Sequence, residues 1–165
     1  MAINNGLPVL CIGGAFQLLG TNYFSGSGEK REGLNLLAFH TLYKPERFAG
    51  NIAVKVSVEG REYIAIGFEN HNGRTYFDDF DLKAWGRVII GYGNNGKDAG
   101  EGILYKNLVG TYMHGPLLPK NPIVADSFIK AMARRRNINI NNELDNSLED
   151  FSHAQVLKYM TKKKT

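Results

Sequence analysis

Two segments far apart in the chain carry residue types that chemistry could use. The first is Leu7-Pro-Val-Leu-Cys-Ile12, followed by Gly13-Gly14 and then Ala15 to Leu19. The apolar run is short, does not alternate and stops at two glycines, as a strand buried on both faces of a parallel sheet would. Ala15 to Leu19 reads as the start of a helix, with Gly20 as its stop. A strand that turns abruptly into a helix presents the turn residue at the carboxyl edge of the sheet, and the cramped backbone there demands small residues. The free N–H groups of the helix N-terminus favour an anion at that point, an oxyanion or a thiolate. The second segment, Leu108-Val-Gly-Thr-Tyr-Met-His114, reads as a strand ending in its histidine, with Gly115-Pro116 stopping the ladder. The carboxyl ends of strands are where α/β folds put catalytic groups. Each segment alone has a plainer reading: an ordinary strand-to-helix connection for Gly13-Gly14, and a loop-edge histidine for His114.

The elements that must position these residues are mostly strands. Leu34 to Thr41 is apolar, and Gly50 to Val58 alternates through Ile52, Val54, Val56 and Val58, the pattern of a half-buried strand. Glu62 to Phe68 follows a turn at Glu59-Gly60-Arg61, and Arg87 to Ile90 and Gly102 to Tyr105 are shorter runs. Gly91-Tyr-Gly-Asn-Asn-Gly96 is a loop by composition, and Lys106-Asn107 turns the chain into Leu108. Pro122 opens a helix with Val124, Phe128, Ile129 and Met132 on one face, and a second helix runs from Ser152 to Met160. The pattern predicts an α/β fold with strands in the middle and helices at the ends.

Composition narrows the class. A chain of 165 residues with 43% hydrophobic and 22% charged residues is about one globular domain. Its 19 glycines point to tight turns and close backbone approaches, common where loops build a ligand site. The net charge of +4 comes largely from Arg134-Arg135-Arg136 and Lys162-Lys163-Lys164. Without interleaved aromatic residues or a nucleic-acid-binding motif, these clusters read as a solvated helix end and a chain terminus, so no nucleic-acid partner is expected. The single cysteine, Cys11, leaves no internal disulfide or Cys-rich zinc site and suggests a reduced, cytoplasmic setting. No apolar run approaches the ~20 residues of a membrane-spanning helix, and Met1 to Gly6 lacks the features of a signal peptide.

Taken together, the segment from Leu7 to Gly20 and the histidine segment resemble the class I glutamine amidotransferases, in their cobyric-acid-synthase-like (CobB/CobQ-like) branch. Within it they resemble most the glutaminase (GatD-type) subunits of lipid II isoglutaminyl synthases. Three further segments carry the likeness: Gly67-Phe-Glu-Asn-His-Asn-Gly-Arg-Thr75, Gly91-Tyr-Gly-Asn-Asn-Gly-Lys97 and Gly110-Thr-Tyr-Met-His-Gly-Pro-Leu-Leu-Pro-Lys-Asn-Pro122. The resemblance implies a flavodoxin-like α/β fold. Residues 1–136 would be the C-terminal two-thirds of the amidotransferase domain, without its first strands and helices, and residues 137–165 a helical tail. It also implies the activity: a cysteine attacks the side-chain amide of glutamine, a histidine acts as base and then protonates the departing ammonia, and the thioester is hydrolysed. The ammonia passes to a Mur-ligase-like subunit in a heterodimer. There ATP and Mg activate the D-glutamate of the peptidoglycan stem peptide. No cofactor or metal is expected in this chain itself.

Residue by residue, His114 falls on the family's histidine. Arg47, in Lys44-Pro-Glu-Arg-Phe-Ala-Gly-Asn51, falls on the arginine that holds the glutamine α-carboxylate, a bidentate task suited to a guanidinium; a plain surface arginine is the other reading. Gly14 would lend its N–H to the oxyanion hole. The nucleophile does not carry over. The family reads Ile-Cys-Gly-Gly-aromatic-Gln, and this chain reads Ile12-Gly13-Gly14-Ala15-Phe16-Gln17, so Gly13 stands where the cysteine belongs. Cys11 lies two residues back, ~6–7 Å along the strand, and reads as a core thiol. Glu69 and His71 read as a strand-end loop that shapes the pocket or meets the partner, ahead of a third catalytic member. The expectation is therefore a glutaminase subunit with little or no activity, the alternatives being a non-catalytic partner-binding module or a decayed or split fragment.

Overall fold

The computed structural model describes residues 3–140 and 144–162. Its regular elements are, in chain order, β1 (Val9–Ile12), α1 (Gly14–Leu18), β2 (Asn22–Phe24), β3 (Lys30–Glu32), β4 (Phe39–Val58), β5 (Arg61–Phe77), β6 (Gly86–Ile90), β7 (Gly100–Glu101), β8 (Ile103–Tyr105), β9 (Leu108–Thr111), β10 (Met113–His114), α2 (Leu117–Lys120), α3 (Pro122–Arg135) and α4 (Ser147–Lys162). The fold is mixed α/β, with two sheets. A three-stranded sheet has the order β1-β9-β8, with β1 parallel to β9 and β8 antiparallel to β9. A seven-stranded sheet runs β10-β5-β4-β2-β3, with β6 and β7 attached through β4.

The dominant element is the β4–β5 hairpin, 20 and 17 residues long. Its turn is the predicted Glu59-Gly60, with both residues at positive φ, 49° and 80°. The alternation read in the sequence gives the core directly. Ile52, Val54, Val56 and Val58 share one face of β4 and pack with Trp85, Val109, Met113, Leu117 and Val124. On the opposite face Ala53 and Ile66 meet Met160, Val156 and Leu157 of α4. Two buried side-chain sets on opposite faces of one hairpin make it the central layer of the molecule. Asn121 ties the helices to it: its Oδ1 accepts from Ile66 N at 2.8 Å, and its Nδ2 donates to the carbonyls of Ile66 (2.8 Å) and Leu117 (2.7 Å). A fully buried amide with its hydrogen-bonding capacity used in this way adds rigidity without the cost of an orphaned polar group.

Several sequence expectations need correction. Leu34 to Leu37 is irregular and strand structure begins only at Phe39, because the amides of residues 34–37 bond to carbonyls of residues 18–20 at the end of α1. What read as separate strands between residues 39 and 77 is one continuous hairpin, so Glu69 and His71 lie within β5 and not in a strand-end loop. β1 is half-buried at all four positions, and not buried on both faces, because it forms the edge of its sheet beside β9. On α3 the inward face runs through Val124, Phe128 and Ala131; Ile129 and Met132 are 41% and 49% exposed. Spacing alone had grouped all four apolar residues, whereas only one stripe of the helix reaches the sheet. The short β2 and β3, three residues each, gave no periodic signal at all.

The basic cluster on α3 is partly engaged within the chain: Arg134 and Lys130 both pair with Glu59, and Arg135 donates to the Asn5 carbonyl at 2.7 Å. In the second cluster, Lys163 and Lys164 lie outside the described residues. No helix among the described residues is long and apolar enough to cross a membrane.

Candidate active site

Gly13 sits at the turn between β1 and α1 with φ 59° and ψ −116°. This is a conformation that L side chains seldom adopt and a glycine adopts without strain. Three hydrogen bonds hold the elbow in place. Gly13 N donates to Thr111 O at 2.9 Å, continuing the β1–β9 ladder by one residue. Gln17 N donates to Gly13 O at 3.1 Å, and Leu19 N to Phe16 O at 3.1 Å. Phe16 anchors the helix, wholly buried against Phe39 and Tyr112 with ring centroids 5.3 and 5.1 Å away.

A β-carbon placed on Gly13 would lie 3.0 Å from His114 Cε1 and 3.3 Å from His114 Nε2. The elbow and the distant histidine therefore face each other across less than one side chain. His114 reaches this point because the chain changes sheets between β9 and β10. Tyr112 falls at the break, and Met113 and His114 then pair with Glu69 and Phe68 of β5.

Arg47 arrives by a different device. The β4–β5 register jumps between Tyr43↔Gly73 and Phe48↔His71, which leaves Lys44 to Arg47 looped out of the ladder. The far strand pins this bulge. Asn72 Nδ2 donates to the carbonyls of Lys44 and Pro45, and Arg74 Nη2 to that of Glu46. Arg74 also lies over the Phe48 ring at 3.2 Å, and Arg47 Nε donates to Asn70 Oδ1. The bulge turns Arg47 into the same pocket as Gly13, Gly14 and His114. That pocket, of about 290 Å³, is also lined by Gln17, Tyr43, His71 and Tyr112. Gly73 keeps its wall close, since a β-carbon there would lie 2.8 Å from Thr41 Cγ2 and 2.9 Å from Tyr112 Oη, both on buried residues.

The structure thus brings Gly13, Gly14, Arg47 and His114 into one pocket. Gly14 opens α1, so its amide is among the donors a helix start leaves without an intrahelical partner. Cys11 is not on the pocket wall. It pairs with Gly110 in the ladder and packs in the Phe16–Phe39–Tyr112 cluster, where burial pushes its thiol up. Burial also pushes the His114 imidazole below its ordinary value, and the charges of His71 and Arg47 act in the same direction. An imidazole kept neutral at neutral pH is in the form that can take a proton.

Glu69 and His71 are resolved by the geometry. Glu69, fully buried, accepts from Tyr92 N (2.8 Å) and Gly93 N (3.0 Å), which fixes the Gly91–Gly96 loop to β5. His71 stacks on Tyr112 with centroids 3.7 Å apart and planes 3° apart, and its Nδ1 bonds Gly73 O at 2.8 Å. Its Nε2 lies 3.7 Å from Glu69 Oε2, too far for a hydrogen bond. Sequence reasoning missed two residues, Tyr112 and Glu101. Tyr112 Oη receives Gln17 Nε2 at 3.2 Å and meets Thr75 Oγ1 at 2.7 Å, so the ring forms a fixed pocket wall. Glu101 is buried beneath that wall and was marked by nothing in its surroundings, Gly100-Glu101-Gly102.

Comparison with known proteins shows the family. The CobB/CobQ-like glutamine amidotransferase domain matches residues 1–122. The chain is 44% identical over 149 residues to the GatD subunit of the glutamine-hydrolyzing lipid II isoglutaminyl synthase of Staphylococcus aureus, covering 90% of this chain and 59% of that protein. It is 42% identical over 135 residues to the corresponding subunit of Streptococcus pneumoniae, covering 81% and 51%. A probable cobyric acid synthase of Methanopyrus kandleri is 34% identical over 128 residues, covering 69% and 24%. The chain therefore spans between half and three-fifths of the length of the two GatD relatives. A match to most of its residues, on a mixed α/β fold with the elbow and histidine face to face, establishes that the chain belongs to the CobB/CobQ-like glutamine amidotransferase family.

Proposed function

We propose that this chain is a glutaminase-type subunit of a lipid II isoglutaminyl synthase in which the glutamine site is kept and the hydrolytic step is lost at Gly13. One observation carries the reading: the β-carbon position of Gly13 lies 3.0–3.3 Å from the His114 ring, in the backbone geometry of a nucleophile elbow. In this reading Arg47 takes the α-carboxylate of glutamine and the Gly14 N–H receives the amide oxygen as negative charge develops on it. His114 stands ready to accept a thiol proton and to return it to the departing ammonia. Without a thiol no thioester forms, and the loss of a nucleophile costs many powers of ten in rate. In an active relative the ammonia would pass to a Mur-ligase-like partner holding ATP and Mg, which would amidate D-glutamate in the stem peptide.

The test is ammonia release from glutamine with the ligase partner present. The wild-type chain is expected to be silent and Gly13→Cys to release ammonia at least about 10³-fold faster. Wild-type turnover that survives Cys11→Ala, or that equals that of an intact relative, contradicts the proposal. The missing nucleophile also favours a second reading, a non-catalytic module that docks the ligase subunit while the ligase draws on free ammonia. Co-purification of the two chains, with synthase activity on ammonium and none on glutamine, distinguishes it from a decayed or split fragment, which would not associate.

A further inference from the structure

The buried acid that the proposed chemistry leaves unused sits under the point where the chain changes sheets. Glu101 is fully buried. Its Oε1 accepts two hydrogen bonds, from Tyr112 N at 2.8 Å and Thr111 Oγ1 at 2.8 Å. The Thr111 hydroxyl oxygen in turn accepts from Met113 N at 2.9 Å. Tyr112 N and Met113 N are the two amides at the junction of β9 and β10, and one carboxylate oxygen holds both, one of them through a hydroxyl. The same junction supplies Thr111 O to Gly13 N, the Tyr112 ring to the pocket wall and, one residue on, His114. Glu101 itself has little freedom. Its strand pairs with β6 at Gly86, and Asn94 brackets the next residue by accepting from Gly102 N (2.8 Å) and donating to Gly102 O (2.9 Å). Its second oxygen, Oε2, is buried without a hydrogen-bond partner.

An orphaned carboxylate oxygen in a buried site is costly, and an alanine or an aliphatic side chain would avoid that cost unless the other oxygen were needed. We infer that Glu101 is a positioning residue for the site: by holding the Thr111–Met113 junction it sets His114 opposite residue 13. Burial pushes its carboxyl up to about 7, so the form that keeps Oε1 as acceptor while Oε2 carries a proton is accessible near neutrality. The inference rests on the assignment of His114 as the base that faces position 13.

A thiol at position 13 reports this geometry without any need for turnover, because an imidazole within reach can take the thiol proton and pair with the thiolate as imidazolium, which lowers the apparent thiol pKa and raises its reactivity at neutral pH. The experiment uses the full chain carrying Gly13→Cys and Cys11→Ala, with the rate of iodoacetamide alkylation followed against pH. Adding His114→Ala is expected to slow alkylation at pH 7 by about tenfold or more, a shift of about one pH unit in the midpoint. Glu101→Ala is expected to slow it to a similar degree, and Glu101→Gln, which keeps an acceptor oxygen at Oε1, to stay within about threefold of the parent. Where Glu101→Ala does not fold, Thr111→Val is read in its place; it removes the relay to Met113 N and is expected to give a smaller slowing in the same direction. A cooperatively folded Glu101→Ala, or Thr111→Val in its stead, with an unchanged pH profile overturns the role of Glu101 alone, provided His114→Ala has slowed the reaction. An unchanged rate in His114→Ala overturns the pairing of residue 13 with His114, and this inference with it.

Discussion

The pocket has two walls that differ in what they are made of. The elbow wall, Ile12 to Gln17, presents backbone: two glycines, the start of a helix and an anchoring phenylalanine below. The opposite wall, drawn from β4, β5 and the β9–β10 junction, presents side chains. Arg47, His71 and Tyr112 are each placed by named hydrogen bonds or ring contacts, and His114 by the pairing of β10 with β5. In the proposed reading the second wall holds the α-carboxylate through Arg47 and supplies His114, and the first wall supplies the Gly14 N–H and the position from which a nucleophile would attack. The comparison shows that architecture and chemistry can part. A positive-φ turn, a ladder bond from Gly13 to Thr111 and a packed helix are all present at a position that carries no side chain.

The sharpest way to break this contrast is to return a thiol to the elbow wall and then remove the histidine from the other. In the Gly13→Cys chain, His114→Ala is expected to lower ammonia release by about 10²–10⁴-fold, the usual worth of a positioned general base. A loss under about tenfold would mean that the two walls do not work as a pair. Removing the carboxylate clamp is a smaller step. Arg47→Ala is expected to weaken glutamine binding by about 10- to 150-fold in calorimetry, the equivalent of a charge-assisted hydrogen bond worth about 1.5–3 kcal/mol. Arg47→Lys is expected to recover only part of this, because an ammonium cannot reproduce the forked contact. Unchanged binding in Arg47→Ala would assign the pocket to another ligand. The smallest effect concerns the elbow itself. Gly13→Ala is expected to cost about 1–3 kcal/mol in chemical denaturation, since a side chain at φ 59° is strained and its β-carbon meets His114 at 3.0 Å. A neutral Gly13→Ala would show that the elbow relaxes when loaded.

The elbow wall was legible in the sequence because everything that shapes it is local. An apolar run, two glycines and a helix start within fourteen residues state their own geometry. The alternation from Ile52 to Val58 was legible for the same reason, and it gave one core face of β4, though not the second face that packs on α4. The second wall depends on partners far along the chain. Arg47 reaches the pocket on a bulge whose Lys44 and Glu46 carbonyls are pinned by Asn72 and Arg74, each 28 residues along from the carbonyl it holds. A linear reading could name Arg47 through family likeness and could not derive its placement. Glu69 and His71 misled because the continuity of a 17-residue strand is set by pairing with β4 and not by their own neighbours. Ile129 and Met132 misled in the opposite direction, since helical spacing was present but the sheet reaches only the Val124–Phe128–Ala131 stripe.

The register of the elbow is the claim on which the rest depends, and an electrophilic analogue of glutamine reads it directly. The analogue is incubated with the wild-type chain and with Gly13→Cys, and the modified residue is identified by peptide mass spectrometry. The account predicts an adduct at position 13 of the variant and none on Cys11 of either protein. An adduct on Cys11 of the wild-type chain, at a rate that glutamine competes away, would contradict it and give the nucleophile's role to the residue two places earlier.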